Sequence, residues 1–255
     1  SNGKVANSRN YGSVAGDVNI GGVTGAMAIE YDLDPEDDIN TLGSKSLNFR
    51  YETKAVLTEC RNFGAIQAKK NCAGGVVGRM DLGTVYRSYG FGRVQSKDGD
   101  YVGGVVGFSD ATVRESAAKC TLSGNDAVGG IAGKAKKLSG CYALIQIDDT
   151  KGQKGAVAGT LTNLEQIKGN WYIGNDLGGI DGVSYGGIAE EISFENAKKV
   201  AYLPEEFFRF ALTFVVDGKE IASIPFQYGD DLRDQKFPEI PKKDGKYSKW
   251  PDIQR

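Results

Sequence analysis

The chain has 255 residues, a formal net charge of −2, a sequence pI near 5.4 and no histidine. That charge gives no electrostatic footprint for nucleic acid, and no Lys/Arg cluster with interleaved aromatics occurs. The missing imidazole excludes Ser-His-Asp and Cys-His catalysis and the HExxH metalloproteases within this chain, and the apolar runs are too short to span a bilayer.

Two phrases alternate along the chain. The first opens as "VANSRNYGSV" at Val5 and returns as "LTECRNFGAI", "VYRSYGFGRV", "VRESAAKCTL", "LSGCYALIQI" and "IKGNWYIGND", at intervals of 52, 28, 28, 25 and 29 residues. The second, glycine-rich, reads "NIGGVTGAM" at 19–27, then "CAGGVVGRM", "YVGGVVGFS", "AVGGIAGKA" and "QKGAVAGTL", with its last glycines 53, 29, 26 and 26 residues apart. Two independent markers agree on one unit, so the 36 glycines punctuate an internal repeat rather than build a single phosphate loop.

Stacked, the phrases form columns. Val5, Leu57, Val85, Val113, Leu138 and Ile167 make one; Ser8, Cys60, Ser88, Ser116, Cys141 and Asn170 the next; Val14, Ile66, Val94, Leu122 and Ile147 a third. Aliphatic and small residues recurring at the same step are what a coil of stacked strands needs, since no unit can bury its own apolar edge. The pattern predicts an all-β chain: a right-handed parallel β-helix (solenoid) of six or seven coils. Cys60 and Cys141 fall in one column three steps, roughly 14 Å, apart, beyond the ~7 Å Cα limit for a disulfide, so reduced, buried thiols are expected.

The doubled first interval holds no glycine phrase and is read as an insertion around 28–56, carrying an acidic loop and a hairpin over 45–56, with a degenerate extra coil as the competing account. Within it Asp32, Asp34, Glu36, Asp37 and Asp38 supply oxygens enough for calcium. The EF-hand glycine and distant glutamate are missing, and charged loops are ordinarily just solvated, so no metal, cofactor or catalytic residue is assigned. "AVGGIAGKA" brushes against a Walker A loop but carries Val128 and Ala135 where that motif needs Gly and Ser/Thr. Tyr142, Trp171 and Tyr172 lie near coil corners, where rings can stack on sugars or, more ordinarily, pack the core.

The glycine phrase followed by "VRESAAKCTL" or "LSGCYALIQI" resembles the GLUG-motif repeats of bacterial surface and secreted proteins, over residues 1–205. "NWYIGNDLGGIDGVSYGGIAEEISFENAKKVAYL" is similar to the way such arrays end, with a cap near 193–208. The remainder, 209–255, has another rhythm: "LTFVVDGKEIASIPFQYGDDL" reads as two strands joined by Asp217-Gly218, a type I′ hairpin signal. With "FPEIPKKDGKYSKW" it resembles the small β-grasp-like repeats of the Listeria–Bacteroides kind, although the family's "GYxFxGW" ending stands here as "GKYSKW".

The resemblance implies a non-enzymatic, extracellular fragment of a bacterial cell-surface protein, an adhesin or stalk binding a host surface protein or polysaccharide. A carbohydrate-active β-helix, or the accessory region of a larger secreted enzyme such as a peptidase, is the alternative. A monomer with no nucleic-acid partner and no membrane insertion is expected. Because Val5 already belongs to a repeat and "LPEEF" at 203–207 lacks the Thr-Gly of a sortase signal, a leader and anchor are expected outside this sequence, with "SNG" as a tag remnant.

Overall fold

The computed structural model describes residues 3–28, 55–148, 150–174, 176–217, 219–240 and 250. The acidic residues Asp32 to Asp38 and the hairpin expected over 45–56, up to residue 54, lie outside the described residues, as does most of "KKDGKYSKW". The chain divides into two units, Ser1–Leu203 and Pro204–Arg255. The boundary falls between the two short helices of the expected cap, Phe194–Ala197 and Glu205–Phe208.

The first unit is a parallel β-solenoid. Its described strands form sheets of nine, ten and five strands, and the pairings inside them are parallel. Val5 pairs with Leu57, Leu57 with Val85, Val85 with Val113, Val113 with Leu138, and Leu138 with Ile167, so the first sequence column is a physical ladder. Val5 pairs with Leu57 directly, which leaves no extra coil between those levels. All the ladders run together through five levels, about four turns from first to last. Only the ladder of Arg9–Asn10, Arg61–Asn62, Tyr89–Gly90, Ala117–Ser123, Tyr142–Ile147, Asn170–Tyr172 and Ala189–Glu191 reaches seven strands. The expected six or seven coils are therefore not all complete: beyond Tyr172 the chain leaves the repeat for turns at Gly178, Gly182 and Gly187, each with positive φ.

Burial follows the columns. Leu57, Val85, Val113, Leu138 and Ile167 are at most 2 % exposed, whereas Val5, on the outermost level, is 39 % exposed. Ile66, Val94 and Leu122 join Val102 and Val128 in a second buried cluster.

The small polar column forms a hydrogen-bond chain through the stack. The Cys60 amide donates to Ser88 Oγ at 3.2 Å, the Ser88 amide to Ser116 Oγ at 3.1 Å, the Ser116 amide to the Cys141 sulfur, and the Cys141 amide to Asn170 Oδ1 at 3.1 Å. Each hydroxyl also donates within its own coil, Ser88 Oγ to the Tyr86 carbonyl and Ser116 Oγ to the Arg114 carbonyl. The thiols of Cys60 and Cys141 take the same place, donating to the Thr58 and Ser139 carbonyls. Serine, cysteine and asparagine interchange because each offers a compact polar atom where a corner leaves an amide unpaired.

The residue before this column turns the chain and is left-handed at every level: Asn7, Glu59, Arg87, Glu115, Gly140 and Gly169. Four of these are not glycine, each at a cost of about 1–2 kcal/mol that the ladders on both sides must offset. The glycine phrase meets a different constraint. A Cβ on Gly130 would lie 1.9 Å from the Ala156 carbonyl oxygen of the next level and 2.8 Å from the Ala143 Cβ.

The second unit, described by itself, contains an antiparallel hairpin of Phe210–Val216 and Lys219–Phe226 with a register shift after Phe214. Asp217 has φ 49°, the left-handed turn expected there. Phe214 packs against Phe237 and Trp250, whose indole donates to the Pro238 carbonyl at 2.8 Å.

Two expectations follow. Ser116→Ala strands the Ser88 amide, while the Arg114 carbonyl keeps the Arg87 amide, and should cost about 1–3 kcal/mol in urea unfolding; Ser116→Cys should cost under about 1.5 kcal/mol, since cysteine already serves two levels. Gly130→Ala should cost about 3 kcal/mol. Gly12→Ala should change stability by less than about 1 kcal/mol, because only the Asn10 side chain lies within 4 Å of the added methyl.

Candidate functional site

The corner aromatics singled out in the sequence are mostly committed to packing. Tyr142 is 4 % exposed, with its ring stacked on Trp171 at 4.9 Å and edge-on to Tyr202 at 6.0 Å. Tyr172 is equally buried, its hydroxyl 2.5 Å from Ser184 Oγ. Trp171 is half-buried, with Glu190 its ladder partner on the next level. Tyr142 and Tyr172 therefore offer no open platform to a sugar; they close the C-terminal levels of the stack. Lys134 of the Walker-like phrase lies 5.4 Å from the Phe108 ring centroid, within the strand Ala132–Ser139.

Nucleophilic chemistry is equally closed to the cysteines. All four are free thiols. Burial pushes Cys72 up to about 11 and Cys120 and Cys141 up to about 12, which leaves them protonated at neutral pH. Among the described residues no group of three or more His, Cys, Asp or Glu side chains is placed to hold a metal ion.

The sequence reading passed over a different feature. In the ten-stranded sheet Arg9 pairs with Arg61, Arg61 with Tyr89, Tyr89 with Ala117, Ala117 with Tyr142, and Tyr142 with Trp171. Two residues along, on the same outward face, Tyr11 stacks on Phe63 at 4.9 Å and Phe63 on Phe91 at 5.1 Å, with the Lys119 ammonium 6.0 Å from the Phe91 ring centroid. Strand alternation puts Asn62, fully buried, between the two columns and facing inward. A basic column and an aromatic column thus lie side by side.

Beside the arginines is a groove of about 350 Å³, lined by Asn7, Arg9, Glu59, Arg61, Arg87, Tyr89 and Tyr202. Arg87 reaches the next level, where its Nε lies 2.9 Å from Glu115 Oε2, and that carboxylate raises the guanidinium pKa. The same guanidinium lies 5.0 Å from the Tyr86 ring and 5.7 Å from that of Tyr202, and the Arg61 guanidinium 5.8 Å from Tyr89. Tyr202 closes one end: its hydroxyl donates to the Gly140 carbonyl at 2.7 Å, and its carbonyl accepts from Tyr89 at 2.5 Å. Burial pushes the Tyr89 phenol up to about 12 and raises that of Tyr202. A second polar groove, about 460 Å³, holds Gln95, Ser123, Asn125 and Lys151, and the Arg93–Asp148 ion pair at 2.7 Å ties level three to level five there.

No family model and no curated protein matches this chain. Among solved structures it is similar to a crystal structure of a protein from Bacteroides ovatus described as a "putative immunoglobulin A1 protease", at 22 % identity and a TM-score of 0.43. The match covers 64 % of this chain and 50 % of that one, so the chain spans about half the length of the structure it matches.

Burial raises the folded-state pKa of Cys72, Cys120, Cys141 and Tyr89 above the unfolded values, so the unfolded chain loses these protons first as pH rises. The melting temperature should hold up to about pH 8.5 and fall steadily from about pH 9 to 11. A melting curve unchanged across that window would contradict the burial of these groups.

Proposed function

We propose that this chain is a non-catalytic binding and spacer module, an adhesin-type solenoid on the outside of a bacterial cell that engages an extended host surface protein or glycan as a monomer. The observation that carries this reading is the repetition of like side chains along one face: Arg9 with Arg61, and Tyr11 with Phe63 and Phe91. A solenoid that presents one such residue per level offers an extended ligand the same contact several times along its length.

The chemistry agrees with binding rather than turnover. Burial holds the Cys72 and Cys141 thiols protonated, the chain has no imidazole, and the Arg87–Glu115 and Arg93–Asp148 pairs tie one level of the stack to another. The two tyrosines at the crowded end keep that end of the column packed.

The test is a glycan-array and host-matrix screen of the full chain, with product analysis of every ligand that binds. Binding without release of sugars or peptides is the expected result. Oligosaccharide or peptide products would replace this reading with the carbohydrate-active or peptidase-associated one, and absence of binding anywhere would leave a spacer and refute adhesion.

A further inference from the structure

We infer that the polar groove on the outward face of the ten-stranded sheet, beside Gln95 and Ser123, is a binding site for a neutral polysaccharide, whose hydroxyl groups exchange hydrogen bonds with those side chains along the solenoid axis. The inference rests on the reading of the chain as a binding module and names the ligand class and the residues.

The first argument is the placing of donors and acceptors. Val94 and Leu122 are fully buried, so strand alternation turns Gln95 and Ser123 outward. Gln95 is the ladder partner of Gln67 on one level and of Ser123 on the other, which sets successive Cα atoms about 4.8 Å apart. Amides stacked in register can bond to one another along the stack, and in this sheet Asn10 and Asn62 do so at 2.7 Å. No such bond joins Gln67 to Gln95 among the described residues, and both are exposed, so each amide offers a carbonyl acceptor and an NH₂ donor to a ligand.

The second argument is that the groove is held in shape. Its volume is about 460 Å³, and it crosses level three at Gln95, level four at Ser123 and level five at Lys151. The Arg93–Asp148 pair spans those levels at 2.7 Å, and the same carboxylate accepts from Gln146 Nε2 at 3.2 Å. Lys97 and Asp98 follow the buried Ser96, whose hydroxyl donates to the Lys70 carbonyl at 2.8 Å and accepts from the Gly99 amide at 3.0 Å. A lining fixed before the ligand arrives loses little freedom on binding.

The third argument selects the partner. Arg93, Lys97 and Lys151 stand against Asp98 and Asp148, so the groove's charge is nearly balanced and gives a polyanion little attraction. Backbone groups here are used between levels, as in the Ile66 amide to the Arg93 carbonyl and the Lys97 amide to the Ala68 carbonyl, whereas a peptide adding as a strand needs them free. A sugar hydroxyl both donates and accepts, which matches an amide beside a serine hydroxyl.

The experiment is calorimetric titration of the full chain with laminarin, mannan and xylan, and with a heparin fragment and polyglutamate as charged controls. At least one of the three neutral polysaccharides should bind, with an affinity that holds within about twofold from about 0.1 M to about 1 M salt. Gln95→Ala and Ser123→Ala should each weaken that binding about three- to tenfold. Thr84→Ala, which removes an outward hydroxyl from the nine-stranded sheet, should leave it within about twofold. Circular dichroism and melting of every variant separate lost contacts from lost folding, and the exposed Gln95 decides the matter if Ser123→Ala melts early. Neutral polysaccharides that do not bind, charged controls that bind as tightly, or Gln95→Ala that binds as the parent does would overturn the site. If the parent chain then still binds another glycan or a matrix protein in the array, the site falls and the binding module stands; if it binds nothing, both fall.

Discussion

Every interior strand of this solenoid has as its partners the same position one repeat earlier and one repeat later, so each residue is a member of a column before it is anything else. In-register parallel stacking fixes the rest. It brings Val85 between Leu57 and Val113, makes Ser116 answer the amide of Ser88, and sets the Gly130 backbone so close to that of Ala156 that a methyl cannot intervene. Columns of small and aliphatic residues are therefore inexpensive, and columns of like charge are not. Arg9 over Arg61 is a pairing whose repulsion other contacts must offset.

The repeat, the interior ladders and the serine–cysteine column were legible because each recurs at nearly constant spacing and involves residue types that seldom share a position by chance. The left-handed corners were not. Glu59, Arg87, Glu115 and Tyr101 hold positive φ although none is a residue that favours it, and only stacking on both sides makes those conformations tenable. The outward column of cations and rings was hidden for a different reason. Arg9, Arg61 and Tyr89 occupy one position in three aligned phrases, but a column that changes from cation to ring carries no compositional signal, and its meaning depends on which face of the strand points outward.

Tyr142 and Tyr172 illustrate the opposite failure. Aromatics near a corner suggest an open platform, yet where the repeat ends the stack needs large side chains to cover its last levels. The same rings that look available in a sequence are the ones that finish the core: Tyr142 between Trp171 and Tyr202, and Tyr172 beneath the turns that follow Gly178, held through Ser184.

Tyr202 sets the extent of the face. Hydrogen-bonded to level five through Gly140 and to level three through Tyr89, it spans level four, where the outward column carries only Ala117. A larger side chain at Ala117 would compete for that space, so the small residue and the crossing tyrosine belong to one arrangement. Tyr89 is covered in consequence, while the aromatic strip beside the outward column runs from Tyr11 through Phe63 to Phe91, with Lys119 next to its last ring.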